Sequence, residues 1–143
     1  MKVSSKTLYT FQFLSALAIK GRKTPVQLRE IATEYDIPFK FLEQIAILMK
    51  GVGLVRGTRG KTGGYQLAEA PERIDLARVI KATEGEILPC ADIEGGNRVV
   101  GSLIDEIFAE QRDDVERKLS AVTIAHIAEK ARLRLEPAPM FYL

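Results

Sequence analysis

"TPVQLREIATEYDIPFKFLEQIAILMKG", residues 24–51, holds two amphipathic segments joined only by Asp36, Ile37 and Pro38. In the first segment Thr24 stands where a helix N-cap would, Pro25 at a first helical position, and Gln27 where a capping box has its return partner. Leu28, Ile31, Ala32 and Tyr35 then recur at i, i+3, i+4 and i+7, the stripe of a helix buried on one side. The amide-rich start of a helix at Pro25 would suit a phosphate. In the second segment Leu42, Ile45, Met49 and the following Val52 form the inner stripe. At about 100° per residue, Lys40, Glu43, Gln44 and Ile47 fall on the opposite side, so three polar side chains with reach share one outward face. Two short helices so tightly connected predict a helix-turn-helix.

The flanking stretches fit that unit. "LVRGTRGKTGGYQL", residues 54–67, reads as two short strands around a glycine-rich tip decorated by Arg56, Arg59 and Lys61, a β-hairpin wing. Upstream, Leu8, Phe11, Leu14 and Leu17 predict a largely buried helix that stops at Gly21. Downstream, "DLARVIKATEG" predicts a short helix capped by Asp75 and stopped by Gly85. "EILPCADIEGGN", residues 86–97, is a loop, and the apolar positions from Arg98 to Leu119 predict a helix up to about 33 Å long. That helix outgrows the core of so short a chain, and an apolar stripe on it, including Val100, Leu103, Ile104, Ile107 and Phe108, predicts pairing with a second copy. Thr123 is placed to cap a last helix before Pro137 and Pro139.

Composition excludes several classes. The 46% hydrophobic and 28% charged content over 143 residues is that of a globular chain with one domain, or a small domain and a helical arm. Polar interruptions at Gln12 and Ser15 argue against a signal peptide, and no run matches the roughly 18 apolar residues of a membrane span. The single cysteine, Cys90, excludes an internal disulfide and predicts a reducing, cytoplasmic setting. Residues 1–67 carry eleven Lys and Arg against four Asp and Glu, a net +7, and the remainder carries ten against fifteen, a net −5. A basic half favours a polyanion such as nucleic acid, while the acidic half would point away from it.

Catalytic chemistry is thin. His126 is the only histidine and has no nucleophile near it in sequence, so a satisfied helical histidine is the expectation and an enzyme is not. Cys90 and His126 cannot supply the four ligands of a structural metal site from one chain, so no metal is expected. The glycine loop lacks the G-x-x-x-x-G-K-[ST] order and leads into a strand instead of opening a helix, which argues against a nucleotide cradle. A winged helix-turn-helix on double-stranded DNA uses the basic half, the polar face and the wing together. Glu43 can accept from cytosine N4, Gln44 can pair with adenine, Lys40 suits a phosphate, and Arg59 suits the narrow minor groove.

"MKVSSKTLYT", "IPFKFLEQI", "GLVRGTRGKTGGYQLA" and "IDLARVIKATEG" resemble the Rrf2 family of bacterial winged-helix transcription regulators. The likeness runs from Met1 to about Gly85 and, more weakly, through the long helix and "VTIAHIA". It implies a mainly α fold with a two-stranded β wing and a long C-terminal dimerisation helix, acting as a homodimer. On this basis Lys40, Phe41, Glu43 and Gln44 correspond to the recognition helix, and Arg59, Gly60, Gly63, Gly64 and Tyr65 to the wing, where Lys61 adds a charge the family often lacks. Packing remains an alternative role for Phe41 and Tyr65. Many members carry three cysteines that hold an iron-sulfur cluster. Cys90 alone cannot build that arrangement, so no cofactor is expected, with a cluster on unusual ligands including Cys90 as the alternative.

The resulting expectation is a homodimeric repressor with a DNA-binding domain at 1–85, an effector or sensor loop at 86–97 and a helical dimerisation region at 98–143, its effector unknown. The competing readings are a winged-helix module that regulates a metabolic enzyme by docking on it, and a redox-sensing regulator using Cys90.

Overall fold

The computed structural model describes residues 2–20 and 23–135. The helix stops expected at Gly21, Pro137 and Pro139 lie outside the described residues. Among the described residues six α-helices, one hairpin and a single 3-10 turn at Pro71–Arg73 are formed: α1 Ser5–Lys20, α2 Leu28–Glu34, α3 Phe39–Gly51, β1 Val55–Thr58, β2 Gly64–Leu67, α4 Leu76–Glu84, α5 Arg98–Ser120 and α6 Ile124–Leu135.

The Ser4 hydroxyl opens α1 by accepting from the Thr7 amide at 3.3 Å. The burial of α1 differs from the expected stripe. Leu8 is 52% exposed, whereas every residue from Phe13 to Ala18 is buried. The cause is tertiary: α3, α4, α6 and β2 surround this one helix, so its burial follows its neighbours and not a single face.

Helix α2 starts at Leu28, not at Pro25, and its N-cap Gln27 makes no side-chain capping bond. Val26 is occupied elsewhere. Its amide donates to the Tyr65 carbonyl at 2.9 Å and its carbonyl accepts from the Tyr65 amide at 2.8 Å. Those bonds to the wing replace the helical turn that the Thr24-Pro25-Gln27 pattern predicts, so neither the capping box nor the phosphate seat at Pro25 exists. Asp36, with φ 51°, makes the turn into α3.

Helix α3 buries Leu42, Ile45, Ala46 and Met49. Val52 is 44% exposed and serves as the C-cap, its amide donating to the Leu48 carbonyl at 3.1 Å, so the core place expected of it goes to Leu54. The antiparallel hairpin runs from Val55 opposite Leu67 to Thr58 opposite Gly64. Asp75 caps α4 by accepting from the Arg78 amide at 3.0 Å, and Gly85, at φ 90°, ends it.

Asn97 caps α5, accepting from the Val99 and Val100 amides at 3.0 Å each, and none of the 23 residues of α5 is buried. Thr123 and His126 cap α6 reciprocally. The Thr123 hydroxyl accepts from the His126 amide at 3.3 Å, and the Thr123 amide donates to His126 Nδ1 at 3.1 Å. Helix α6, expected as part of the 98–143 arm, returns to the N-terminal head. Ile124 and Ala128 sit in the main core, and Arg132 Nη2 donates to the Ala18 carbonyl at 3.0 Å. Two backbone bonds direct that return, Leu76 amide to Val122 carbonyl at 3.0 Å and Ile124 amide to Ile74 carbonyl at 2.8 Å.

Candidate nucleic-acid interface

The buried stripe of α3 fixes what its other side presents. With Leu42, Ile45, Ala46 and Met49 inside, Lys40, Glu43, Gln44 and Ile47 are all exposed on the opposite face. Phe41 lies between the two faces, half-buried, with its ring edge-on to Tyr9 at 5.6 Å between centroids. Its contact in the structure is therefore the packing of α3 on α1. Arg29 of α2 holds its guanidinium 4.2 Å over the Phe39 ring, joining the first turn of α3 to the helix before it. Sequence reasoning passed over Arg29, although a cation and an aromatic ring at the two helix starts were a visible signal.

The wing is anchored at its base and bare at its tip. The Tyr65 ring packs edge-on against core Phe13 at 6.2 Å, while its backbone pairs with Val26. The Gln27 side-chain amide donates to the Lys61 carbonyl at 3.3 Å, tying the turn to the start of α2. Between the strands the Gly63 amide donates to the Gly60 carbonyl at 3.0 Å, closing a tight turn that leaves Arg59, Gly60 and Lys61 exposed. Gly63 and Gly64 answer to a packing need. A Cβ on Gly63 would run into the Thr58 carbonyl, and one on Gly64 into the backbone of Val26.

Part of the charge of the basic half is paired between α1 and α2. Lys20 pairs with Glu34 and lies 3.7 Å from Glu30, and its bond to Glu34 pushes the lysine pKa up. Two of the four acids in the basic half are thereby engaged with Lys20, and the exposed cations Lys40, Lys50, Arg56, Arg59 and Lys61 lie on α3 and the wing.

Cys90 is exposed in the 86–97 loop, away from both elements. Arg112 reaches to it from α5. Its Nη2 lies 3.6 Å from the Cys90 sulfur and 2.9 Å from the Leu88 carbonyl, and its Nε donates to the Ile87 carbonyl at 3.0 Å. The acidic sequence around Cys90 gave no sign of this cation, which comes from 22 residues further along the chain.

A helix-turn-helix with an exposed polar face on its second helix, followed by an arginine-tipped hairpin, defines a winged-helix DNA-binding protein. The family profile Rrf2, described as "Iron-dependent Transcriptional regulator", matches residues 3–130. The chain belongs to the Rrf2 family and is a DNA-binding transcription regulator, not an enzyme. It is 31% identical over 143 residues to the HTH-type transcriptional regulator CymR of Bacillus subtilis, covering 100% of both chains. It is 30% identical to Protein rrf2 of Nitratidesulfovibrio vulgaris, covering 93% of this chain and 91% of that one. Among solved structures, CymR of B. subtilis, described as its global cysteine regulator, superposes with a TM-score of 0.75 at 30% identity, over 91% of this chain and 98% of that one. IscR of T. potens does so with a TM-score of 0.74 at 27% identity, over 97% and 94%.

The donor set does not fit the iron-sulfur cluster that the family implies. Thiolates are the usual ligands of such a cluster, and the chain has one cysteine. Among the described residues no three His, Cys, Asp or Glu side chains converge around a common point. Among them, too, no helix is long and apolar enough to cross a membrane.

Proposed function

We propose that the chain works as a homodimer, joined along α5, that places two α3 helices in major grooves about one helical turn, roughly 34 Å, apart. Lys40 meets phosphate, Glu43 and Gln44 meet base edges, and Phe41 holds α3 against α1. Arg59 enters the adjoining minor groove, helped by Lys61, while Gly60, Gly63, Gly64 and Tyr65 set the wing's path. The observation that carries this reading is α5. Val100, Leu103, Ile104, Ile107 and Phe108 are all exposed on a helix none of whose residues is fully buried within its own chain. A contiguous apolar strip of that kind is the mark of an interface. Residues 1–85 form the reading head, with α6 added to it. Residues 98–120 form the dimerisation element, and the 86–97 loop, tied to α5 by Arg112, is where an effector would act. A dimer seated on a promoter blocks access to it without needing an activation surface, so the regulator acts as a repressor in the cytoplasm.

The test is binding to DNA selected from a random pool, measured from about 50 to 200 mM salt. Phosphate neutralisation releases counterions, so six contacts would cost roughly a thousandfold in affinity over that range. Two chains per duplex with this steep dependence is the expected result. Salt-insensitive association, or no selected sequence from a folded dimer, would favour docking of the head on a protein instead.

A further inference from the structure

The outward face of α3 carries one side chain that neither the core nor the basic charge explains. Ile47 is 68% exposed at the middle of the helix. An exposed β-branched residue there gains nothing from burial and is a weaker helix former than alanine.

Its neighbours on that face are Lys40, Glu43, Gln44, Lys50 and Gly51, all exposed and all at helical spacing from Ile47. The two lysines are ten residues apart, about 15 Å along the axis. The major groove is about 12 Å wide. A helix lying in it brings the lysine ends toward the phosphate walls and sets Glu43, Gln44 and Ile47 between them, over the bases. Glu43 can only accept there, and Gln44 can donate and accept. Ile47 can do neither. The one apolar group that a base pair presents in the major groove is the C5 methyl of thymine.

We infer that Ile47 is a specificity residue that reads a thymine methyl in each half-site, one helical turn along α3 from Glu43 and Gln44. The inference rests on the DNA reading above and adds to it the identity of one base. Contact removes apolar surface on both partners from water without any hydrogen bond, so it discriminates thymine from cytosine and from uracil by the methyl contact.

The experiment takes the DNA sequence selected by the full-length protein and replaces each thymine in turn by deoxyuridine, which lacks only that methyl. Binding is followed by fluorescence anisotropy for wild type and Ile47→Ala, with thermal melting as a check that the exposed substitution leaves the fold intact. One thymine position per half-site is expected to lose about fourfold in affinity on replacement, the worth of one buried methyl. Ile47→Ala is expected to lose a similar factor on the unmodified duplex and to be indifferent to deoxyuridine at that position, while Ile47→Val keeps the sensitivity. An equal deoxyuridine penalty in wild type and Ile47→Ala, or no sensitive thymine, would overturn the role of Ile47 while leaving DNA binding intact. Failure of wild type to select any sequence would overturn the underlying reading as well.

Discussion

Gly64 shows how narrowly a single residue can control the wing. Its φ of +152° and its approach to Val26 leave no space for a Cβ, and the atoms in the way are backbone. Neither can withdraw without breaking the paired Val26 and Tyr65 bonds. A Cβ on Gly57, one strand over, would meet the Tyr65 ring at 3.5 Å and the Gly64 carbonyl at 3.9 Å, both ordinary contacts. The two glycines are therefore unequal. Gly64→Ala is expected to destabilise the protein by about 2 kcal/mol through backbone strain, with Gly57→Ala within about 0.5 kcal/mol of wild type. Urea denaturation of both variants measures this, and hydrogen exchange at the Tyr65 amide reports whether the wing has come away. Equal midpoints for the two variants would mean that the wing is not clamped at Val26. Both residues belong to one glycine-rich string in the sequence, and nothing local distinguishes them, because the clashing partner lies 38 residues upstream of Gly64.

Between elements, a polar pin joins the start of α1 to the end of α4. The Glu84 carboxylate accepts from the Ser4 amide at 2.8 Å and the Thr7 hydroxyl at 2.6 Å, and the Thr83 hydroxyl lies 2.7 Å from that of Thr7. Hydrogen bonds from the Ser4 side chain, the Thr7 hydroxyl and the Ser4 amide hold the Glu84 pKa down at about 2, against an ordinary 4.5. A carboxylate with a lowered folded-state pKa stabilises fully above its unfolded value and loses that contribution as pH falls through the folded one. The urea midpoint of wild type should therefore drop between about pH 4.5 and 2 more steeply than that of Glu84→Gln, with the two curves converging at the acid end. Parallel curves would show that the pin carries no pH dependence. The serine at the start of α1 was legible as a helix start, but its meeting with Thr7 and Glu84 was not, since hydroxyls and a carboxylate at two helix ends acquire that meaning only when the ends meet. Helices α3, α4 and α5, and the hairpin, were legible because their periodicity, caps and glycine stops are local. The start of α2 was misread for the opposite reason: a sound local capping pattern yielded to two long-range bonds between Val26 and Tyr65. The outward face of α3 could be read from its buried stripe, whereas the contact of Arg112 with Cys90 depends on how the loop folds against α5.

At the scale of the molecule, the head and α5 solve different problems. The head closes its own core and recruits α6 to complete it, with Ile124 fully buried. Much of the apolar strip of α5, from Val100 to Phe108, stays exposed on this chain. In the proposed homodimer a second copy covers that strip, and stability and assembly would then be linked by mass action. The wild-type urea midpoint should rise with protein concentration. Ile104→Asp combined with Ile107→Asp, which places two carboxylates on the strip without touching a buried residue, should sediment as a monomer with a concentration-independent midpoint. Its head should keep the wild-type helical signal. DNA affinity should fall by two orders of magnitude or more, because two linked heads bind the second half-site at an effective concentration in the millimolar range and a single head does not. Salt dependence should weaken in parallel, since half the phosphate contacts are gone. A double variant that remains dimeric would place the interface elsewhere on the chain, and one that is monomeric yet binds the selected DNA as wild type does would mean that one head suffices.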